Sequence, residues 1–180
     1  MTAPIGGDWD ARSVRGIGPH PSDPGAFTVA QLVCSLIVAA RPSVHIEHVG
    51  STAVPGLVGK GVVDLQVSVE PGHVFEITTL LLELGFTRQG GPKPWPATRP
   101  MLIGTFRLDQ SVYGLHCHVV PTDDPQLQSM PAFRDLLRGR PELAAAYADE
   151  KRRIAATTRD VYLYTDDKAA FIDGLMGLTP

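Results

Sequence analysis

Residues 62–69 alternate between apolar and polar side chains, and this pattern constrains the fold more than any other feature of the sequence. The apolar positions are Val63, Leu65, Val67 and Val69, and the polar positions between them are Asp64, Gln66 and Ser68. Because successive side chains of a β-strand point to opposite faces of a sheet, the pattern predicts a strand with one packed face and one polar face. Asp64 is the only carboxylate on the polar face, which can therefore carry chemistry.

A second segment, 114–120, alternates in the same way and carries two histidines. Its two predicted faces are Leu115, Cys117 and Val119 on one side and His116, His118 and Val120 on the other. Two imidazoles on one strand face, together with Asp64, can ligate a transition metal. The alternative is a polar face on which both histidines hydrogen-bond to neighbouring groups, and the sequence leaves both interpretations open.

The rest of the chain predicts helices, shorter strands and one long loop. Helical spacing of apolar residues predicts helices at 26–40, 71–84, 133–154 with a break at 139–141, and about 166–176. Strands are predicted at 44–49 and 101–107, and another begins at Phe86. The proline-rich segment 90–100, with Lys93, Trp95 and Arg99, is predicted to be a loop that is either a lid or a plain surface connection. The class indicated by these elements is α+β.

Length and composition bound the kind of protein. A chain of 180 residues with 43% hydrophobic content can bury one core, and we expect a single domain, 26–180, after an N-terminal arm, 1–25. The net charge of -3 gives no reason to expect nucleic acid or an anionic membrane as the main partner. Residues 1–15 lack the features of a signal peptide, and the first predicted helix is shorter than the roughly 18 to 20 residues that span a bilayer. Cys34 and Cys117 form no CxxC pair, so we expect a reducing, cytoplasmic location.

Gly50, Ser51 and Thr52 form a small-residue turn after the predicted strand 44–49. Backbone N–H groups and the two hydroxyls of such a turn can approach a polyphosphate closely. Asp64, fourteen positions after Gly50, can hold the metal ion that bridges those phosphates. A Gly-Ser pair alone is most often a plain turn, so the functional interpretation depends on the surrounding residues.

Positive charge is concentrated between positions 134 and 159, where seven basic residues stand against four acidic ones. The basic residues are Arg134, Arg138, Arg140, Lys151, Arg152, Arg153 and Arg159. Arg134 and Arg138 are four positions apart on one predicted helical face, as are Tyr147 and Lys151. A surface of this kind that faces the Gly50 turn can contact phosphates, and a merely solvated helix face is the alternative.

The segment 46–67, IEHVGSTAVPGLVGKGVVDLQV, resembles the signature of the GrpB-like family. That family belongs to the nucleotidyltransferase superfamily and also occurs fused to dephospho-CoA kinase. Later blocks resemble the family's landmarks in the same order: 84–86, 116–119, 133–138 with Pro141 and Tyr147, and Lys168 with 171–172. The resemblance covers roughly residues 25–175, and agreement between several separate blocks is far more specific than one motif.

The resemblance implies a nucleotidyltransferase-like mixed β-sheet packed against helices, with a helical C-terminal segment. It places Asp64 first in a pair of strand carboxylates, which in the superfamily help to hold two divalent ions that align the nucleophile and neutralise the leaving pyrophosphate. Gln66 occupies the position of the second acid, and His116 and His118 lie where a third acid is expected. An amide in place of a carboxylate lowers the charge of the site by one unit.

The resemblance and the residue chemistry together assign the candidate roles. The candidate catalytic residues are Asp64 and Gln66; the candidate metal ligands are Asp64, Gln66, His116 and His118; the candidate phosphate-binding residues are Gly50, Ser51, Thr52, Lys60, Arg134, Arg138 and Lys151. The expected cofactor is a divalent metal ion, Mg²⁺ or Mn²⁺, with Zn²⁺ also considered, because histidine ligands favour Mn²⁺ or Zn²⁺ over Mg²⁺. The expected partner is a nucleotide or another phosphorylated small molecule.

Two functions remain open at this point. One is a metal-dependent nucleotidyltransferase acting on a nucleoside triphosphate. The other is a module that binds a nucleotide or a coenzyme A-related ligand without turning it over, which the missing second carboxylate favours. A fold kept only for protein contacts is the least favoured reading. The chain contains no GxSxG, GxxxxGK[ST] or HExxH motif, which argues against a serine hydrolase, a P-loop kinase and a zincin.

Overall fold

A mixed β-sheet is the framework of the computed structural model, which describes residues 5–6, 19–90, 94–158 and 161–177. In these ranges the strands are β1 (His45–Val49), β2 (Val63–Val69), β3 (Thr87–Arg88), β4 (Met101–Leu108) and β5 (Ser111–Pro121). They lie in the order β1-β2-β5-β4-β3. β2 and β5 run parallel at the centre, and the other neighbouring strands are antiparallel. The predicted α+β class with a mixed sheet is therefore confirmed.

The register of the central parallel pair sets the two faces of the sheet. Asp64 is paired with His116, and Gln66 with His118. Paired residues of neighbouring strands point to the same face, so these four side chains share one side of the sheet. The opposite side carries the apolar positions of both strands, including Leu65 and Cys117, which are fully buried. The alternation predicted for both strands is confirmed.

Two helices cover the apolar side of the sheet. Helix α1 (Gly25–Ala40) contributes Val29, Val33 and Ile37 to the main core, and helix α2 (Val74–Glu83) contributes Ile77 and Leu81. Helix α1 begins one residue before its predicted start, where the Gly25 N–H donates to Asp23 Oδ1 at 2.9 Å. This bond satisfies one of the backbone N–H groups at the N-terminus of the helix that have no partner within the helix.

Three helices form the C-terminal segment, as predicted. They are α3 (Ser129–Gly139), α4 (Pro141–Thr157) and α5 (Val161–Met176). The predicted break at 139–141 separates α3 from α4, with Pro141 in the first turn of α4. The predicted start of the last helix near 166 was wrong by five residues, because residues 161–165 (VYLYT) have β-branched and aromatic side chains of modest helix propensity. Burial of Tyr164, which is 1% exposed, outweighs that local preference.

Parts of the predicted N-terminal arm pack against the domain. Ile5 belongs to the main core, and Gly6 pairs with Thr105 of β4 through N–O distances of 2.9 and 2.8 Å. His20 pairs with Gly59 through N–O distances of 2.7 and 3.0 Å. The rest of the arm before position 19 lies outside the described residues, as does Lys93 of the proline-rich loop. Within the described ranges, no helix is both long and apolar enough to cross a membrane.

Candidate metal and phosphate site

Asp64, His116 and His118 form a compact cluster on the polar face of the central strands. One ligand atom from each residue can be chosen so that all three atoms lie within 4.8 Å of one another. The distance from His116 Nδ1 to Asp64 Oδ1 is 2.9 Å, and that from His118 Nε2 to the same oxygen is 3.8 Å. The sequence predicted that these three residues would lie on one face, and the β2–β5 register brings them together.

The protonation states suit a cation. Burial raises the pKa of Asp64, but hydrogen bonds to His116 and His118 and their charges outweigh it, so the pKa lies well below its usual range. Burial lowers the pKa of His118 despite the opposing effect of Asp64. An ionised carboxylate and a neutral imidazole are the forms that bind a metal ion.

Two buried polar atoms beside this cluster have no hydrogen-bond partner within the described part of the chain: Gln66 Oε1 and His118 Nδ1. The Gln66 side chain is 1% exposed, and its Nε2 donates to the Leu127 carbonyl at 2.9 Å. A buried polar atom without a partner is unfavourable and calls for an explanation. The Gln66 oxygen carries lone pairs that a cation can accept, and so does the unprotonated nitrogen of a neutral imidazole, so the residues present fit a divalent metal ion. The ligand role predicted for Gln66 remains a prediction.

Gly50 and Gly59 allow the Gly50-Ser51 turn to lie between the cluster and Lys151. Gly50 has a φ of +71°, and a Cβ atom there would lie 2.3 Å from Asp64 Oδ2. A Cβ atom on Gly59 would lie 2.4 Å from Ser51 Oγ and 3.9 Å from Lys151 Nζ. Only glycine permits these approaches, so the turn packs directly against the carboxylate. Ser51 begins the short 3₁₀ helix Ser51–Ala53 that follows.

Thr52 uses its hydroxyl to fix the same turn. Thr52 Oγ1 donates to the Val62 carbonyl at 3.0 Å, and His48 Nε2 lies 3.0 Å from Thr52 Oγ1. The hydroxyl has a single proton, so His48 must be the donor in its bond to Thr52. Burial lowers the pKa of His48 to about 4, in agreement with a neutral ring that carries its proton on Nε2. The proposed phosphate contact of Thr52 stays a prediction.

Burial lowers the pKa values of three lysines, Lys60, Lys151 and Lys168, and Lys151 borders Gly59 near the turn. Lys60 Nζ lies 4.4 Å from the centroid of the Tyr164 ring, and Lys151 Nζ lies 4.4 Å from that of Tyr147. Lys151 Nζ also donates to the Val58 carbonyl. Burial lowers the pKa of Lys60 to about 8 and that of Lys151 to about 7, and it lowers the pKa of Lys168. The negative charge of Asp64 opposes this lowering of the pKa for all three lysines.

The sequence reasoning did not assign Lys168 a role, although a signal for it exists. The segments 147–151 (YADEK) and 164–168 (YTDDK) share a tyrosine and a lysine four positions apart. On a helix this spacing places both side chains on one face. The two segments lie on α4 and α5, which pack against each other. The repeated spacing therefore places a tyrosine and a lysine on one face of each of two neighbouring helices.

The two arginines predicted to bind phosphate make other contacts. The Arg134 guanidinium donates to Asp135 at 2.8 and 2.9 Å, to Glu47 at 3.3 and 3.2 Å, and to the His48 carbonyl at 2.9 Å. Arg138 donates to the Ala53 carbonyl at 2.9 and 2.7 Å. These bonds tie α3 to β1 and to the turn. A phosphate contact of either arginine stays a prediction, and Arg159 lies outside the described residues.

The loop at 94–100 packs over the far side of the cluster. The Trp95 ring meets the His118 ring edge to face, with centroids 5.1 Å apart. Arg99 lies over Trp95, with Cζ 5.3 Å from the ring centroid, and pairs with Asp124 at 3.6 Å. Two surface cavities of about 560 and 510 Å³ lie elsewhere, and the cluster lines neither. The site is therefore a closely packed polar cluster, and the lid role of the loop remains a prediction.

Comparison with known proteins places the chain in a family. The sequence profile of the GrpB protein family matches residues 24–177, and the chain belongs to that family. It is 34% identical over 160 residues to a UPF0157 protein of Pseudomonas aeruginosa, covering 82% of this chain and 62% of the relative. A UPF0157 protein of Deinococcus radiodurans is 33% identical over 133 residues, covering 74% of this chain and 66% of the relative. The chain thus spans less than two thirds of the length of these relatives.

Solved structures agree with the family assignment. The crystal structure of the conserved protein GrpB from Enterococcus faecalis has a TM-score of 0.67 and 25% identity, covering 86% of this chain and 92% of that chain. A weaker likeness, with a TM-score of 0.43 and 11% identity, relates 72% of this chain to 44% of the Cid1 poly(U) polymerase bound to MgGTP. The GrpB family membership implied by the sequence is confirmed.

The first prediction tests the contact between the turn and the carboxylate. Gly50→Ala should displace Asp64, because the added Cβ would lie 2.3 Å from its Oδ2. Gly56→Ala is the matched control, since Gly56 also has a positive φ, +74°, but faces open space. Both variants should lose roughly 1 kcal/mol of unfolding free energy through backbone strain, and Gly50→Ala should lose clearly more. Equal losses in urea unfolding would contradict this packing.

The second prediction concerns the pH dependence of stability. Lys151 has an ordinary pKa of 10.5 when unfolded and a pKa of about 7 when folded. Between these values the unfolded state binds one more proton, so the free energy of unfolding should rise with pH by about 1.4 kcal/mol per unit from this group. Lys151→Met should remove that contribution in urea unfolding from about pH 7 to about pH 9. The exposed control Arg153→Gln should keep the slope, and a pH-independent difference between wild type and Lys151→Met would contradict the prediction.

Proposed function

We propose that this protein binds a divalent metal ion and uses it to hold the phosphates of a nucleoside triphosphate or another phosphorylated small molecule. Asp64, His116 and His118 would hold the metal. The observation that carries the proposal is the cluster of their ligand atoms, which lie within 4.8 Å of one another beside the glycine-constrained turn. The metal would neutralise phosphate oxygens and fix the ligand's orientation.

The ligand set favours a particular kind of metal. One carboxylate and two imidazoles suit Mn²⁺ or Zn²⁺ better than Mg²⁺, which prefers oxygen ligands. Gln66 Oε1 is buried without a partner next to the cluster and is the candidate for a further neutral oxygen ligand. Its backbone pairing with His118 supports this, because both side chains leave the sheet on the same face.

The phosphates would occupy the side of the cluster that faces the turn. Ser51 Oγ and Lys151 Nζ both border Gly59, and Gly50 touches Asp64. A phosphate bound there would meet the metal on one side and a hydroxyl and an ammonium group on the other. Lys60 would add a second positive charge within reach of Asp64. Ammonium groups bind phosphate oxygens through charge-assisted hydrogen bonds.

Nucleotidyl transfer is the second candidate function, and the contact of Gly50 with Asp64 favours it. This contact would put the phosphate chain directly on the metal, where an acceptor oxygen can attack the α-phosphorus and pyrophosphate can leave. Gln66 favours binding without turnover, because it supplies no second carboxylate and its amide nitrogen is bonded to the Leu127 carbonyl. Metal-dependent binding is therefore the function we propose first.

The third prediction tests the metal site. Asp64→Asn and His118→Ala should each weaken Mn²⁺ or Zn²⁺ binding by more than roughly tenfold in calorimetric titrations, because each removes a ligand atom. His45→Ala is the matched control, since the His45 side chain is 71% exposed on β1 and lies outside the cluster. Mg²⁺ should bind the wild type more weakly than either other metal. Absence of Mn²⁺ and Zn²⁺ binding, or an equal loss in His45→Ala, would refute the proposal.

The fourth prediction tests whether position 66 faces the metal ion. Gln66→Asp should be less stable than the wild type without metal, because it buries a second carboxylate near Asp64. Mg²⁺ should then raise its melting temperature more than that of the wild type, since the added charge lies close to the ion. Gln66→Met is the matched control, because it also removes the bond to Leu127 but adds no charge.

The same variants separate binding from turnover. Pyrophosphate release from labelled nucleoside triphosphates by the wild type, and its loss in His118→Ala, would identify an enzyme. Release by Gln66→Asp alone would identify a binding protein that lacks one catalytic acid. If Mg²⁺ stabilises Gln66→Asp and Gln66→Met by the same amount, position 66 does not face the ion and its proposed ligand role is wrong.

A further inference from the structure

We propose that Arg99 is a positioning residue that fixes both sides of the candidate metal site. On one side it holds the Trp95 ring against His118. On the other side it holds the turn 124–127, which is bonded to Gln66. The effect on metal binding rests on the proposed function. The coupling between Gln66 and Trp95 needs no metal ion, and it is therefore open to a separate test.

The loop 94–100 has few buried contacts of its own. Residues 94–98 are exposed and belong to no helix or strand, whereas Arg99 is partly buried and Pro100 is buried. A segment with few buried contacts shifts easily. The Arg99 side chain, which is 23% exposed, is therefore the anchor that holds Trp95 in place.

The Arg99 guanidinium contacts the loop and the turn at once. Its Cζ lies 5.3 Å from the centroid of the Trp95 ring. Its Nε lies 3.6 Å from Asp124 Oδ2, and its Nη1 donates to Gln126 Oε1. A guanidinium is planar, so its face can lie over a ring while its N–H groups donate within its plane. One side chain thereby joins the loop to the turn.

The turn carries this contact to Gln66. The Gln126 N–H donates to Asp124 Oδ1 at 2.7 Å, and the Leu127 N–H donates to the Asp124 carbonyl at 3.0 Å. The Leu127 carbonyl accepts the bond from Gln66 Nε2 at 2.9 Å. Because the side-chain amide of Gln66 is planar, this bond also fixes the direction of its Oε1. A shift of the turn would therefore move this oxygen.

Both routes from Arg99 end on side chains with an unsatisfied atom. Gln66 and His118 are paired in the register of β2 and β5. Gln66 Oε1 and His118 Nδ1 are buried without a hydrogen-bond partner among the residues that the structure describes. Residues that hold ligands in place change metal affinity even when they do not touch the ion. Arg99 therefore acts on two candidate ligands without being one.

The space outside the loop gives this arrangement room to open. The surface cavity of about 560 Å³ is lined in part by Ala97 and Thr98 of the loop and by Asp124 of the turn. Without the Arg99 side chain, no contact described above joins the loop to the turn, and the two can move apart. Trp95 would then leave the metal site.

The first experiment measures acrylamide quenching of Trp95 fluorescence in excess EDTA, with Trp9 replaced by phenylalanine in every sample. Arg99→Met should raise the quenching constant by at least about 1.5-fold, because the loop loses its anchor. Gln66→Met should raise the constant too, because it releases the turn. Gln110→Met is the matched control, since Gln110 is exposed between β4 and β5, and it should leave the constant unchanged.

The second experiment measures Mn²⁺ and Zn²⁺ affinity by calorimetry. Arg99→Met should lower both affinities by at least about tenfold, because two candidate ligands lose their support. Arg99→Lys keeps a positive charge beside Asp124 but lacks the planar group, so its affinities should lie between those of the wild type and Arg99→Met. Arg107→Met is the matched control, since Arg107 is exposed on β4, and it should change neither affinity by more than about twofold.

The outcomes separate the role of Arg99 from the existence of the metal site. Equal metal affinities in Arg99→Met and Arg107→Met would overturn the positioning role and leave the metal site standing. Equal quenching in Gln66→Met and Gln110→Met would overturn the coupling. If the wild type binds neither metal ion, the proposed function is refuted, and increased quenching in both Arg99→Met and Gln66→Met would still support the coupling.

Folding of each variant is checked by circular dichroism and urea unfolding. If Arg99→Met does not fold, Gln126→Met takes both tests, because Gln126 is exposed and its replacement removes the same contact from the side of the turn. It must increase the quenching and lower the metal affinities, and the absence of both changes would overturn the inference.

Discussion

The parallel pairing of β2 with β5 is the constraint on which the site depends. It joins two segments that are about fifty residues apart in the chain and places Asp64 beside His116. The apolar side chains on the other face, such as Leu65 and Cys117, are fully buried against α1 and α2. A slip of one residue would move that entire apolar set to the polar side, so burial in the core holds the register. The hydrophobic core thus positions the polar cluster.

Sequence patterns predicted the faces of the strands but not their partners. A period of two identifies which residues share a face, and Asp64, His116 and His118 were identified in this way. It contains no information on which strand lies next to which, because that depends on the whole set of packed elements. Helical spacing has the same limit. It predicted that Arg134 and Arg138 share one helical face, but it could not predict that Arg134 contacts Glu47 or that Arg138 contacts the Ala53 carbonyl. The Tyr164–Lys168 spacing was missed because local propensity favoured a later start of α5, which left Tyr164 outside the predicted helix.

The glycines show how backbone shape and electrostatics are coupled in this site. Gly50 lets the turn touch Asp64, and Gly59 lets Ser51 approach Lys151. The resulting cluster combines one carboxylate with three amines whose pKa values burial lowers, an arrangement that is unfavourable for folding alone. Groups that bind a ligand often reduce stability in this way, because they are placed for an interaction that the free protein does not make. The closely packed core beneath the sheet offsets that cost.

The lack of a second carboxylate at position 66 fits this arrangement of charge. A site with two or three carboxylates attracts a metal ion by its negative charge. Because the same charge repels phosphates, such a site can bind them only after the metal ion is in place. Here Asp64 is the one carboxylate of the described cluster, and burial lowers the pKa values of the lysines near it, so the charge of the region changes with pH near neutrality. Protonated lysines would repel a metal ion, and Asp64 and the imidazoles would attract it. A bound phosphate would attract both the lysines and the metal ion. In this charge arrangement bound phosphates would strengthen metal binding, and by linkage the metal would strengthen phosphate binding to the same extent.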